Sequence, residues 1–199
     1  YFDRRGHLSG TVATGRNDYQ TQRTIVVGPL SSAANSQHRG TVLSTSVEAG
    51  YLVPAGRGWL DPFVNVQHTQ LKEEGFSEAG SGAAGLVIAA RSARELLSTL
   101  GVRWSQIFER GNGAFATPEL SLGWLHDFSR AQRIHASYVG APGAGFSIDG
   151  APVRRDGAVV GLGFNHRTMR GMTGAIRYSG ELRGGDTAHS VVGEFRYEF

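Results

Sequence analysis

Apolar and polar positions alternate with period two along most of the chain, which is the spacing of half-buried strands rather than helices. The last segment shows it most plainly. Val191, Gly193, Phe195, Tyr197 and Phe199 share one face, and Ser190, Val192, Glu194, Arg196 and Glu198 the other. Before it, Met172, Gly174, Ile176, Tyr178 and Gly180 face Thr173, Ala175, Arg177, Ser179 and Glu181. Ala158, Val160, Leu162, Phe164 and His166 alternate with Val159, Gly161, Gly163, Asn165 and Arg167. Further segments around Leu120–Trp124, Leu100–Trp104, Val64–Val66, Val47–Val53 and Leu8–Val12 repeat the pattern, the last most weakly, which gives eight strands. One face of each strand is apolar and uncharged; the other carries charge among many Gly, Ser, Thr and Ala.

The connections alternate in length. Residues 17–40, 72–92 and 129–155 read as long loops and 184–187 as one of medium length. Residues 54–58, 110–113 and 168–170 read as short turns. This parity predicts an up-and-down antiparallel sheet with all short turns at one end, the asymmetry of outer-membrane barrels. Strands of about ten residues match a tilted bilayer crossing. The expected fold is therefore all-β, an antiparallel up-and-down transmembrane β-barrel forming one domain over residues 1–199. A soluble barrel with an apolar interior fits less well, because a face rich in Gly, Ser and Ala solubilises an exterior poorly but lines a lumen well.

Composition narrows the picture further. Gly supplies 29 of 199 residues, charged residues are only 19% and hydrophobic residues 40%, an unusual balance for a soluble globule. The net charge of +3 is dispersed, so no nucleic-acid partner is expected. Without Cys, disulfides and thiolate metal sites are excluded. The longest apolar run, residues 82–90, is too short for a membrane-spanning helix. No two His stand at i, i+2 or i, i+4, Gly161-Leu-Gly163 precedes no helix, and neighbours His126 and Asp127 point to opposite faces. We therefore expect no catalytic residue, no metal and no cofactor. His68, His126 and His166 fall on the apolar face, as interfacial residues.

Several stretches carry a family likeness: Ser46-Val-Glu-Ala-Gly-Tyr51, Leu60-Asp-Pro-Phe-Val64, Gly75-Phe-Ser-Glu-Ala-Gly80 and Pro118-Glu-Leu-Ser-Leu-Gly-Trp-Leu-His-Asp-Phe128. Gly140-Ala-Pro-Gly143, Gly150-Ala-Pro152 and Gly193-Glu-Phe-Arg-Tyr-Glu-Phe199 continue it in order to the end. In these the chain resembles the C-terminal translocator domain of autotransporter (type V secretion) proteins. The resemblance implies a bacterial outer-membrane barrel that anchors and exports or displays an upstream passenger. It further implies that these strands correspond to the last eight of twelve. Either the chain is a C-terminal fragment, with four strands, a plugging helix and the passenger upstream of Tyr1, or it is a shortened barrel that closes alone around a lumen too tight for a polypeptide to pass. Implied partners are outer-membrane lipid, the barrel assembly machinery and the passenger segment itself. Phe195, Tyr197 and Phe199 resemble the family's terminal assembly signal. On the strand pattern, Arg103, Glu119, Asp127, Arg167, Arg177, Glu181, Glu194 and Arg196 fall on the face assigned to the lumen. The alternative function is a small structural or adhesive outer-membrane barrel acting through its extracellular loops.

Overall fold

The computed structural model describes residues 5–110, 113–129, 132–150, 154–168 and 171–197. Eight long strands run in order: β1 (Gly6–Val27), β2 (Leu30–Tyr51), β3 (Gly58–Glu73), β4 (Arg91–Ser105), β5 (Phe115–Asp127), β6 (Asp156–Arg167), β7 (Met172–Arg183) and β8 (Asp186–Tyr197). Each pairs antiparallel with its sequence neighbour, so the sheet order is the chain order. Among the described residues no helix is long and apolar enough to cross a membrane. The sheet curls into part of a barrel, and its path ends at β1 and β8.

Register preserves the two faces across the sheet. Val64 stands opposite Leu100, Leu100 opposite Trp124, and Trp124 opposite Ala158. On the other face Asp61 stands opposite Arg103, Arg103 opposite Ser121, and Ser121 opposite Gly161. Because side chains alternate strictly, a one-residue slip anywhere would push charge into the apolar rows. Pro62 and Pro118 show how the ladder tolerates proline. The β2 ladder on β3 stops at Phe63 and the β4 ladder on β5 stops at Glu119. Each proline therefore lies just past the point where one flanking strand has ended, and its missing N–H costs no ladder bond there.

Burial is inverted relative to a water-soluble protein. The buried apolar side chains are few and mostly alanines: Ala34, Leu97, Ala114, Ala116, Leu125 and Ala136. The large aliphatic and aromatic groups are exposed instead, with Leu100 60%, Leu122 53%, Ile176 54% and Phe195 74% accessible. So continuous an exposed apolar surface belongs against lipid or another apolar phase.

The structure corrects two connections. Residues 17–40 are not a loop. β1 and β2 stay paired over 22 registers, from Gly6↔Tyr51 to Val27↔Leu30, and reverse through Gly28 and Pro29. Gly28 has φ +58°, a left-handed conformation suited to glycine. A strand of this length measures about 70 Å at the usual rise, so the hairpin projects well past a bilayer crossing. There both faces are wet and the apolar alternation stops, although backbone pairing continues. Residues 184–187 are likewise a tight turn, with Gly184 and Gly185 both at positive φ.

The long connections between β3 and β4 and between β5 and β6 contain structure of their own. Phe76–Ser77, Leu86–Ile88, Arg133–Tyr138 and Ala141–Asp149 form a separate four-stranded sheet at the same end as the Gly28 turn. It is fastened to the β1–β2 hairpin by an Asn35↔Ala79 bridge and by Arg23, whose Nη2 lies 2.6 Å from Glu78 Oε2. The rings of Tyr19, His38 and Phe76 stack in sequence, with centroids 4.8 Å and 4.1 Å apart. The Arg23 hydrogen bond holds the Glu78 carboxyl below its usual range, against the opposing effect of burial and with help from the Leu86 N–H.

Candidate functional site

On the charged face, strands β4 to β8 bring polar side chains together around one concavity. Arg103, Glu119, Ser121, Gly161, Gly163, Arg177, Ser179 and Ser190 line a concavity of about 550 Å³. Small residues make the room. Gly101 stands opposite Phe63, and a Cβ there would fall 2.6 Å from Phe63 Cζ, so the ring lies across a strand that only glycine leaves flat. Gly161 gives way in the same manner to the Ser121 hydroxyl.

Arg103 is the hub at one end. Its Nη1 donates to Asp61 Oδ2 at 2.9 Å, its Nη2 to Glu48 Oε1 at 3.2 Å, and its guanidinium lies 4.8 Å from the Phe63 ring centre. Asp61 is buried and also meets His7 Nε2 at 3.0 Å. One cation thus joins β2, β3 and β4, and the imidazole adds β1. A buried carboxylate persists only when its lone pairs are satisfied in this way.

A second group links β5 to β8. Glu119 accepts from Asn165 Nδ2 at 2.8 Å, Arg177 donates to Asn165 Oδ1 at 3.3 Å, and Arg177 Nη1 lies 3.4 Å from Glu194 Oε2. Asn165 serves both charges because its amide carries a donor and an acceptor. Arg167 and Arg196 lie on the same face, each paired in register with Thr173.

The third group closes the far end. Asp127 is 2% accessible, accepts from the Ser129 N–H at 2.7 Å, and receives Arg183 Nη1 at 2.9 Å. Arg183 also pairs with Glu181 on its own strand. β6 lies between β5 and β7, so Arg183 must cross it to reach Asp127. It does so over Gly157, where a Cβ would sit 2.8 Å from Arg183 Cγ.

The eight charged residues selected from the sequence therefore lie on one face, in three groups rather than one. Sequence reasoning missed His7, Asp61, Asn165 and Arg183. Their signal was available in strand parity, since Asp61 and Phe63 alternate with Leu60, Pro62 and Val64. Phe195 and Tyr197 project from the opposite, apolar face and are exposed; Phe199 lies outside the described residues. Among the described residues no group of His, Asp and Glu is arranged to hold a metal ion. His126 Nδ1 instead meets Asp156 Oδ1 at 2.9 Å on the apolar face, where Trp124 Nε1 donates to the same oxygen at 3.1 Å.

The family model for the autotransporter beta-domain matches residues 1–179. Two curated relatives from Serratia marcescens, both described as an extracellular serine protease, are 27% identical over 190 residues. That alignment takes in 96% of this chain and 18% of each relative, so the chain spans under a fifth of their length. The fold is similar to the translocator domain of autotransporter NalP from Neisseria meningitidis, with TM-score 0.74 and 21% identity over 98% of this chain and 62% of that one. An apolar face turned outward, a charged concave face and a family match over most of the chain lead to one conclusion: this chain belongs to the autotransporter β-domain family, the outer-membrane translocator barrels of type V secretion.

Proposed function

We propose that residues 1–199 form the C-terminal part of a membrane-embedded translocator whose charged face lines the path or seat of its own upstream passenger segment. The observation that carries this reading is the inverted sheet. Aliphatic rows face outward, while the Arg103, Arg177 and Arg183 groups occupy the concave face. Ion pairs that satisfy one another there keep the wall hydrated without offering a fixed charge to a transiting chain. The serine protease activity in the name of the Serratia relatives belongs to those proteins, and this chain aligns with only 18% of each. We assign it no catalytic role.

In this orientation the Gly28 turn, the small four-stranded sheet and the Gly184–Gly185 turn face outside, and residues 54–58 and Thr168 face the periplasm. Single cysteines test it cleanly in a chain without native Cys. On intact cells, Pro29→Cys and Ser81→Cys should label with an impermeant maleimide, whereas Arg57→Cys should label only after the outer membrane is opened. Equal labelling at Arg57 and Pro29 in intact cells contradicts the orientation.

The aromatic row of Phe195 and Tyr197, continued in sequence by Phe199, is assigned to recognition by the barrel assembly machinery. One edge of β8 has no strand partner among the described residues, and such an edge adds readily to another sheet. Deleting Phe199 from the full-length protein should lower its outer-membrane level and passenger display, while refolding into detergent stays nearly normal. A parallel fall in both assays makes the row only an interfacial anchor.

A further inference from the structure

The apolar rows end in unpaired positive charge at the outer end of β1, β3 and β4. Along β1 the outward positions pass from Leu8 and Val12 to Arg16. Along β3 they pass from Val64 and Val66 through His68 and Gln70 to Lys72, and along β4 from Val102, Leu100 and Leu96 to Arg94. Register brings these together. Thr41 stands opposite both Arg16 and Lys72, and Gln70, one outward position before Lys72, stands opposite Arg94. All three cations are exposed, and none has a carboxylate within ion-pair distance among the described residues. Lys72 is the one lysine of the chain. Of the nearby carboxylates, Asp18 is held by Arg39 at 3.3 Å, and Glu74 follows the end of β3.

Beside Arg94 a groove of about 730 Å³ opens between the outer end of β4 and Phe128, Ser129, Gln132, Arg133 and His135. Leu96 and Phe128, both exposed, give it an apolar side, and Arg94, Arg133 and His135 give it a polar rim. Arg91 is tied to Glu73, Arg133 to Asp149 at 2.7 Å and His135 to Ser147 at 2.9 Å, which leaves Arg94 as the unengaged cation of the lining. Glu95, of opposite strand parity to Arg94, is the carboxylate that also reaches the groove. An apolar wall that ends in unpaired cations matches a ligand with an acyl chain and a phosphate. Guanidinium and ammonium groups pair strongly with phosphate oxygens, whereas free phosphate makes no use of Leu96 or Phe128.

We propose that this rim, with Arg16, Lys72 and Arg94 as its cations and Leu96 and Phe128 as its apolar contacts, binds a phosphate-bearing lipid of the outer leaflet. The leaflet rests on the orientation proposed above; the chemistry of the site does not.

The test uses the full-length protein in non-ionic detergent, titrated with diphosphoryl lipid A and with the same lipid stripped of phosphate, bound lipid being counted by native mass spectrometry. The phosphorylated lipid should bind tighter. Each of Arg16→Gln, Lys72→Gln and Arg94→Gln should weaken it about fivefold, and the triple variant about a hundredfold. Arg57→Gln, in the turn at the other end, should change nothing. If the triple variant fails to fold, as read by its heat-modified gel mobility, the three single variants carry the result. Equal binding of the dephosphorylated lipid, an equal loss from Arg57→Gln, or displacement by inorganic phosphate beyond that by sodium chloride of the same ionic strength overturns the proposal. Binding in detergent has no inside or outside. A failed orientation therefore shows in the cysteine labelling alone, and a failed lipid site in the titration alone.

Discussion

Ile176→Arg should destabilise the folded barrel in phospholipid vesicles by about 2–4 kcal/mol, while Ala175→Arg, one residue away, should cost far less. Ile176 projects from the apolar face, 54% exposed, within a row that includes Phe164 and Gly193. No acceptor there can satisfy a guanidinium, so the charge must snorkel or drag water into hydrocarbon. Ala175 lies on the charged face, opposite both Asn165 and Glu194, where a new cation meets water and a carboxylate. Urea unfolding of the refolded protein in vesicles, followed by tryptophan fluorescence, gives both values. Comparable losses at the two positions would mean that the faces do not differ in solvent, and the membrane reading would fail with them.

The second large effect concerns Arg183. Its removal leaves Asp127, 2% accessible, with a buried negative charge and only the Ser129 N–H. Breaking a buried pair from one side typically costs 3–5 kcal/mol. Because Arg183 is 16% exposed on the concave face, the expected loss for Arg183→Ala is about 3 kcal/mol. Adding Asp127→Asn should restore much of it, since the neutral amide no longer needs a counter-charge. Gly157→Val should mimic the loss of Arg183 with both charges present, because its side chain would occupy the crossing over β6. A double-mutant cycle in the same unfolding assay separates these readings. Additive costs for Arg183→Ala and Asp127→Asn would show that the pair does not couple β5 to β7.

How far the sequence was legible follows from where the solvent changes. Within the bilayer one face meets lipid and the other water, so period two is strong. All eight strands and their faces could be read there, down to the alternation of Leu162 and Phe164 with Gly161 and Gly163. Past the bilayer both faces of a strand meet water. Asp18, Gln20 and Gln22 then alternate with Tyr19, Thr21 and Arg23 without contrast, and the paired extension of β1 and β2 looks like a loop. The same loss of contrast hid the small sheet built from Leu86–Ile88 and Arg133–Asp149. Partners on the charged face were illegible for another reason. Parity gives the face of Arg103 but not the register that sets Asp61 opposite it, and the reach of Arg183 across Gly157 depends on curvature that no local pattern encodes.

The central claim is that this barrel carries an upstream segment of its own polypeptide to the cell surface. An epitope placed immediately before Tyr1 in the full-length protein, probed with antibody and with added protease on intact cells, tests it most directly. A second epitope in the turn at residues 54–58 serves as the periplasmic control. The account predicts that the upstream epitope is detected and removed on intact cells while the turn epitope stays hidden until the membrane is breached. An upstream epitope that remains protected in the periplasm, with the barrel correctly inserted, would contradict it and leave the adhesive or structural barrel as the better description.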